Sequence, residues 1–310
     1  MVKPVFLFSG QGSQYSGMGK ELAALCPASA RVFECGSDVL GFDLAAACFE
    51  GEDAFLAQTK VSQPAIFATS LAALAAVKEQ GVDPMAVAGH SLGEYAAMVA
   101  SGMLSMEQGF EVIRHRAAAM QACAEGQDGA MYAIVGLAAD VIQQACEETD
   151  GYVVPVNYNC PTQTAIAGES AAAAKAAELL SSKGGRAIKL NVSAAFHSAL
   201  MQPAADEFYE AIKDVAFGKP SIPFYSNTLG KQMEDFSDMP GYLARHLKSP
   251  VYFVDELNAL QAAGAPAYVE LGPGKVLTGL VKKTFKGVCA VNIENEKALD
   301  KALAALKELA

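Results

Sequence analysis

No uninterrupted apolar run in the chain approaches the roughly 18 residues of a membrane span, so neither a spanning helix nor a membrane partner is expected. The N-terminus, Met1-Val2-Lys3-Pro4-Val5-Phe6-Leu7-Phe8, lacks the longer apolar core of a signal peptide and reads as a first β-strand. There is no CxxC pair. The seven cysteines, at positions 26, 35, 48, 123, 146, 160 and 289, are scattered and odd in number. That pattern argues against a zinc cluster, any other metal site or a disulfide framework, and for reduced thiols in a cytoplasmic protein. Positive charge is also scarce: 23 Lys and Arg stand against 34 Asp and Glu, a net charge of −11, which disfavours nucleic acid as a partner. Histidine is limited to four residues, so a site that needs an imidazole base has few choices.

At 310 residues, 52% hydrophobic and 18% charged, the chain suffices for one large globular domain or one such domain with a smaller insert. Its alanine-rich patches read as helix, and no internal repeat is present. Gly89-His90-Ser91-Leu92-Gly93 is the most informative stretch, matching the nucleophile-elbow pattern G-x-S-x-G. Met85–Ala88 leads in as a short apolar strand, and Glu94–Ala100 follows as helix, which is the context the motif needs. Flanking glycines let the backbone turn without Cβ clashes. The helix that follows aims N–H groups and a positive dipole end at the serine. The plainer alternative is a glycine turn whose serine merely caps the helix.

Strands and helices alternate elsewhere, which predicts an α/β fold with a mainly parallel sheet. The opening strand (4–8) leads into the loop Ser9–Gln14. Gln63-Pro64 precedes a long apolar helix to about Gln80, and residues 105–122 form another, N-capped by Ser105. Between 126 and 193 the order changes to strand (130–137), helix (138–149), strands (153–157 and 163–168), helix (170–183) and strand (186–192). That βαββαβ order predicts a ferredoxin-like small domain inserted into a large domain of residues 1–125 and 194–310. The large domain resumes with a helix from about Ser198, a strand at 222–226, a helix ending near His246 and another over 251–263. A strand at 268–271 then turns through Gly272-Pro273-Gly274 into a helix.

A nucleophilic serine needs a base. His90 precedes Ser91, so its side chain points away from the hydroxyl, although it could still line the pocket. His115 sits mid-helix between Arg114 and Arg116 and reads as a surface residue. His246 lies near a helix end, and His197 lies in the Ala194–Ser198 junction; of these two, His197 is favoured because such junctions carry site residues. For the oxyanion of an acyl-transfer intermediate, the backbone N–H of Leu92 and that of Gln11, at the end of the first strand, are the candidate donors. Arg114 and Arg116 point about 200° apart on their helix, and Met120, one turn on from Arg116, makes Arg116 the more core-facing. An inward arginine would bind a carboxylate. Two basic groups, Lys183 with Arg186 and Lys189, and Lys275 with Lys282, Lys283 and Lys286, could meet an acidic partner. Ordinary surface charge is the plainer reading of each.

Phe8–Gln14, Gly89–Tyr95, Arg116, Phe196-His197-Ser198 and Gly272–Leu277, in this order, resemble the malonyl-CoA:acyl carrier protein transacylases over essentially the whole chain. The resemblance implies a ping-pong acyltransferase that uses malonyl-CoA as substrate, binds no cofactor, acts as a monomer and passes malonyl to holo acyl carrier protein in fatty-acid synthesis. Ser91 would carry the acyl group and His197 would be its base. Gln11 and Leu92 would hold the oxyanion, and Arg116 the malonyl carboxylate, with Gln63, Met120 and His90 around it. The carbonyl of His246, where relatives often carry glutamine, would orient His197. Phe196 would disfavour a 2-methyl branch, a difference worth about 1–3 kcal/mol. Ser9 stands where many relatives have proline. Arg186, Lys189, Lys275, Lys282, Lys283 and Lys286 would be the candidate docking residues for the carrier protein. A trans-acting polyketide acyltransferase uses the same groups. A serine hydrolase would need an HGGG-like loop that the sequence lacks. A docking module without catalysis would have lost Ser91, His197 or Arg116.

Overall fold

The structure, a computed structural model, describes residues 2–192 and 194–309. It begins with β1 (Val5–Phe8), then α1 (Lys20–Leu25), α2 (Pro27–Leu40), α3 (Leu44–Glu50), α4 (Asp53–Leu56) and α5 (Thr59–Glu79). β2 (Ala86–Gly89), α6 (Gly93–Ala100) and α7 (Met106–Glu125) follow. Next come β3 (Gly129–Val135), α8 (Ala139–Glu147), β4 (Val153–Cys160), β5 (Gln163–Glu169), α9 (Ser170–Ser182) and β6 (Arg186–Lys189). The last third holds α10 (Gln202–Ile212), β7 (Tyr225–Ser226), β8 (Lys231–Gln232), α11 (Met239–Leu247) and α12 (Phe253–Ala262). It ends with β9 (Ala267–Leu271), α13 (Val276–Thr284), β10 (Cys289–Ile293) and α14 (Glu296–Glu308).

Four strands form a parallel sheet in the order β10-β9-β1-β2. Side chains alternate across it, as strand geometry requires. Phe6, Phe8, Val87, Val269 and Leu271 pack on the side of α2, α5 and α7. Val5, Leu7, Ala86, Ala88 and Tyr268 pack on the side of α12 and α13. With both faces covered, VFLF in β1 is apolar at every position, the pattern of an internal parallel strand. Parallel pairing also brings the C-terminal ends of β1 and β2 side by side, with Phe8 opposite Gly89. The loops that follow these two strands therefore share one edge of the sheet.

A second sheet, in the order β4-β5-β3-β6, is antiparallel throughout. Ile134 and Ile166 face α8 and α9, whereas Met131, Val156, Ala165 and Ala167 join the main core. Its edge is stitched to the segment before α12: Val251 N–H donates to Val156 O (2.7 Å) and Tyr158 N–H to Val251 O (2.8 Å). The expected boundary at residue 193 falls outside the described residues.

Several expectations are corrected. α5 begins at Thr59, with Pro64 inside it and not after a break at Gln63-Pro64. Proline there forfeits one N–H bond to the preceding turn, and Thr59 N–H gains Gln121 Oε1 at 2.9 Å. By length and composition α5 also passes for a membrane span, which an uninterrupted-run criterion missed because Thr, Ser and Gln punctuate it; it is a mostly buried core helix. The strand expected at 222–226 shortens to β7, since Pro223 has no N–H and offers only its carbonyl to Val87 N–H (2.9 Å). β4 runs on to Cys160 through two register shifts, and β6 stops at Lys189. The Ser105 cap of α7 is present as a full capping box with Gln108.

The turn between β2 and α6 tolerates no side chain on its glycines. A Cβ at Gly89 would lie 2.0 Å from Gly93 C, and one at Gly93 would lie 2.0 Å from Phe8 O. Both obstacles are backbone, so neither can swing aside. Gly93→Ala is expected to cost about 3 kcal/mol or to prevent folding, read from the thermal unfolding midpoint. An unchanged midpoint would show that α6 does not press on β1.

Candidate active site

Ser91 sits on that turn with φ 53, in the left-handed region that an L-residue rarely adopts. Its backbone N–H donates to Asn227 Oδ1 at 2.6 Å. Ser91 Oγ lies 2.7 Å from His197 Nε2 and accepts from Arg116 Nη2 at 3.0 Å. Three side chains from separate parts of the chain thus meet at the hydroxyl of Ser91, a residue 9% exposed.

His197 is held from several sides. It too has positive φ, 62, and its N–H donates to Leu247 O at 3.1 Å. Its Nδ1 lies 3.0 Å from His246 O and 3.1 Å from Ser249 O. Two carbonyls can only accept, so Nδ1 carries the proton and Nε2 turns a lone pair toward the Ser91 hydroxyl. Burial, then the charge of Arg116 and the neighbouring His90, push its pKa down to about 3. Ser249 was not foreseen as a second acceptor; it lies just past His246 and before Pro250.

Arg116 is 1% exposed on α7, while Arg114 faces solvent and donates to Val39 O at 3.3 Å. The guanidinium lies over the Tyr95 ring, 5.2 Å from its centroid. Among the described residues Arg116 has no ion-pair partner, and its Nε has no hydrogen-bond acceptor. Gln63 is fully buried: its Nε2 donates to Gln11 Oε1 (3.2 Å) and Met120 Sδ (3.3 Å), and its Oε1 has no hydrogen-bond partner among the described residues. Phe196 is buried beside His197 in the main core. His90 turns away from Ser91, as expected: Nε2 pairs with Asn159 Oδ1 at 2.8 Å and the ring meets Phe253 edge-on.

The Gly10-Gln11 loop lies against the serine turn, since a Cβ on Gly10 would be 2.6 Å from His90 O. Leu92 is the N-cap of α6. Neither the Gln11 nor the Leu92 backbone N–H donates to another group among the described residues. Gln11 also borders a cleft of about 660 Å³ whose other walls include Thr59, Gln121, Lys189 and Val192.

Behind the serine lies a buried polar cluster that sequence reasoning missed. Asn227 follows β7, and its position just past a strand end on the same sheet edge was the available signal. Around it stand Glu94, Tyr242, His246 and Glu256, all buried. Burial pushes the Glu94 carboxyl up to about 8 and that of Glu256 well above the carboxylate range.

The expected basic groups are only partly together. Lys275 and Lys282 share a groove with Lys297 and Lys301 of α14, two lysines that sequence reasoning passed over. Lys283 reaches toward Gln163, and Lys183 pairs with Glu148 at 3.4 Å. Arg186, Lys189 and Lys286 are exposed, with Lys189 at the rim of the cleft.

With the geometry in place, the class is plain. The acyl transferase domain family matches residues 5–303, and the chain belongs to it. The malonyl CoA-acyl carrier protein transacylase of Bacillus subtilis (strain 168) is 39% identical over 99% of this chain and 98% of its own. That of Salmonella typhimurium is 37% identical over 98% and 99%. Among solved structures, the malonyl CoA-acyl carrier protein transacylase of Clostridium perfringens superposes with a TM-score of 0.95 at 36% identity, covering 99% of this chain and 98% of its own. A malonyl-transacylase in complex with its type II polyketide acyl-carrier protein superposes at 0.93, also at 36% identity, covering 98% and 99%.

His197 is expected to stay neutral down to about pH 4. A lowered pKa preserves the unprotonated base across the whole neutral range, and that form is lost only as pH falls through about 3. The ring proton shifts of His197, followed by NMR, should be flat from pH 5 to 8. A midpoint near 6.5, the ordinary value, would show that burial and Arg116 do not govern it.

Proposed function

We propose that this enzyme transfers malonyl from malonyl-CoA to the phosphopantetheine thiol of acyl carrier protein through a malonyl-O-serine ester. One observation carries the reading: a buried, unpaired guanidinium and a neutral imidazole meet at the same serine oxygen. A buried cation without a counter-ion is costly unless a ligand supplies one, and the malonyl carboxylate is such an anion.

The first half-reaction then runs as follows. Ser91 Oγ attacks the thioester carbon while its proton passes to His197 Nε2, with Nδ1 held by the carbonyls of His246 and Ser249. The oxyanion forms against the N–H groups of Gln11 and Leu92. The C–S bond breaks, and the CoA thiolate takes the proton from His197. The carrier-protein thiol reverses these steps on the ester. Arg116 holds the carboxylate throughout, with Gln63 and Met120 shaping that end of the pocket, Phe196 limiting branching, and His90 lining the wall. No cofactor is used.

The same reading divides the chain into a hydrolase-like large domain (1–125 and 194–310) and a ferredoxin-like insert (126–193). The antiparallel order β4-β5-β3-β6 and its two helices support the second assignment. Arg186 and Lys189 of the small sheet, with Lys275, Lys282, Lys283 and Lys286, are the proposed docking residues for the acidic carrier protein. A monomer acting in the cytoplasm suits these roles. A polyketide carrier is the second reading, favoured by the malonyl-transacylase in complex with its type II polyketide acyl-carrier protein and by the polyketide biosynthesis protein ThaF of Burkholderia thailandensis, 38% identical over 90% of this chain. The match spans only 24% of ThaF, whereas the malonyl CoA-acyl carrier protein transacylases of Bacillus subtilis and Salmonella typhimurium align end to end.

Brief incubation with malonyl-CoA is expected to add one malonyl group by intact-protein mass spectrometry. The adduct should be absent in Ser91→Ala and discharged by holo acyl carrier protein. An unmodified wild type, without hydrolysis of the thioester, would sink the covalent mechanism. Arg116→Ala should slow malonyl transfer by about 100-fold, in line with losing a buried charge pair, while acetyl transfer from acetyl-CoA is spared or rises. Equal losses for both acyl groups would remove the carboxylate role from Arg116.

A further inference from the structure

Asn227 touches both halves of the site from behind. Its Oδ1 accepts from the Ser91 backbone N–H at 2.6 Å and pairs with His246 Nε2 at 3.2 Å. Its Nδ2 donates to Gly89 O and to Glu256 Oε1, both at 2.6 Å. Its backbone N–H donates to Glu94 Oε1 at 2.5 Å, and Tyr242 Oη donates to the same carboxyl at 2.9 Å. The side chain must accept at one end and donate at the other, which an amide does and a carboxylate does not.

His246 completes the link. Its carbonyl accepts from His197 Nδ1, while its imidazole bonds the amide that holds Ser91. Because Oδ1 can only accept, His246 Nε2 carries the proton; its Nδ1, 3.8 Å from Glu94 Oε2, has no hydrogen-bond partner among the described residues. One unbroken chain of contacts therefore runs from the backbone of Ser91 through Asn227 and His246 to the ring of His197. It joins the turn after β2 to the residue after β7 and to α11.

We propose that Asn227 is a positioning residue for proton transfer from Ser91 to His197, and that the His246 side chain, not its carbonyl alone, keeps the two in register. The inference rests on the reading of Ser91 as nucleophile and His197 as base. It assigns His246 a second role: a change of side chain alters the site even where the carbonyl is kept.

The test compares Asn227→Ala, His246→Phe and His246→Gln in the full chain by two readouts. One is single-turnover malonylation of Ser91 across malonyl-CoA concentrations. The other is phosphonylation of Ser91 by a fluorophosphonate probe, in which the Oγ–P bond forms, fluoride leaves and the hydroxyl proton passes through His197 to water. Asn227→Ala is expected to lower both rates about 100-fold, with the half-saturating malonyl-CoA concentration within twofold of wild type. His246→Phe should lower both about tenfold. His246→Gln, whose amide N–H reaches Asn227 from the same position, should retain at least about a third of the wild-type rate. A folded Asn227→Ala with wild-type rates would overturn the proposal. So would equal rates for the Phe and Gln variants of His246, a comparison that decides the matter if Asn227→Ala does not fold. A wild type that takes the probe but no malonyl group would overturn the transfer reading alone, and the probe rates would still test the positioning chain.

Discussion

The left-handed backbone of Ser91 is the constraint on which the rest of the site depends. Holding a non-glycine residue there costs on the order of 1–3 kcal/mol, and a single hydrogen bond returns only about 1 kcal/mol net. The bond to Asn227 alone therefore does not secure it. The remainder comes from packing: Gly93 lets α6 rest directly on the backbone of β1, and Gly89 lets the end of β2 meet the backbone of α6, where any side chain would collide. The parallel pairing of β1 with β2 puts that contact at the sheet edge. The same pairing sets the Gly10-Gln11 loop against the turn. Fold and site are thus specified by one local packing event.

Electrostatics supplies the second constraint. Arg116 is buried, yet burial pushes the carboxyl of its neighbour Glu94 up to about 8 and that of Glu256, in the same buried cluster as Glu94, well above the carboxylate range. His197 is likewise held neutral. With its neighbours discharged, the guanidinium keeps only a hydroxyl and an aromatic face, partners too weak to balance a desolvated charge. The field that results is positive and aimed at Ser91. The proposed role of Arg116 follows from that field: an acyl group that brings its own carboxylate would be favoured over one that does not.

How much of this was legible in the sequence depended on whether the signal was local. The serine turn was readable because its glycines, strand and helix are contiguous, and Arg116 because Met120 marks the inward face of its helix. His197 emerged by elimination among four histidines. The small sheet was readable from element order, although its strand ends moved by a few residues. Asn227 was not readable as a partner of Ser91, since 136 positions separate them and pairing such as the bridge between Val87 and Phe224 brings them together. Pro64 misled because proline is at home at a helix start, whereas here it lies in the second turn of α5, at the loss of one backbone N–H bond. Lys297 and Lys301 were missed because they join Lys275 and Lys282 only through the packing of α13, β10 and α14.

The use of carbonyls, and not a carboxylate, behind His197 follows from the same charge balance. An acid at the place of the His246 and Ser249 carbonyls would orient the ring equally well. It would also add a charge of the same sign as a carboxylate bound at Arg116, and two like charges on the order of 10 Å apart repel by about 1.7 kcal/mol at an effective dielectric constant of 20. That is more than a tenfold loss in affinity for an anionic acyl group, at about 1.4 kcal/mol per factor of ten. A neutral acceptor fixes the tautomer without that loss, and two carbonyls converging on one N–H make up for the missing charge in geometry. The proposed base and the proposed carboxylate site can therefore sit at one serine only because the group that orients the base is uncharged.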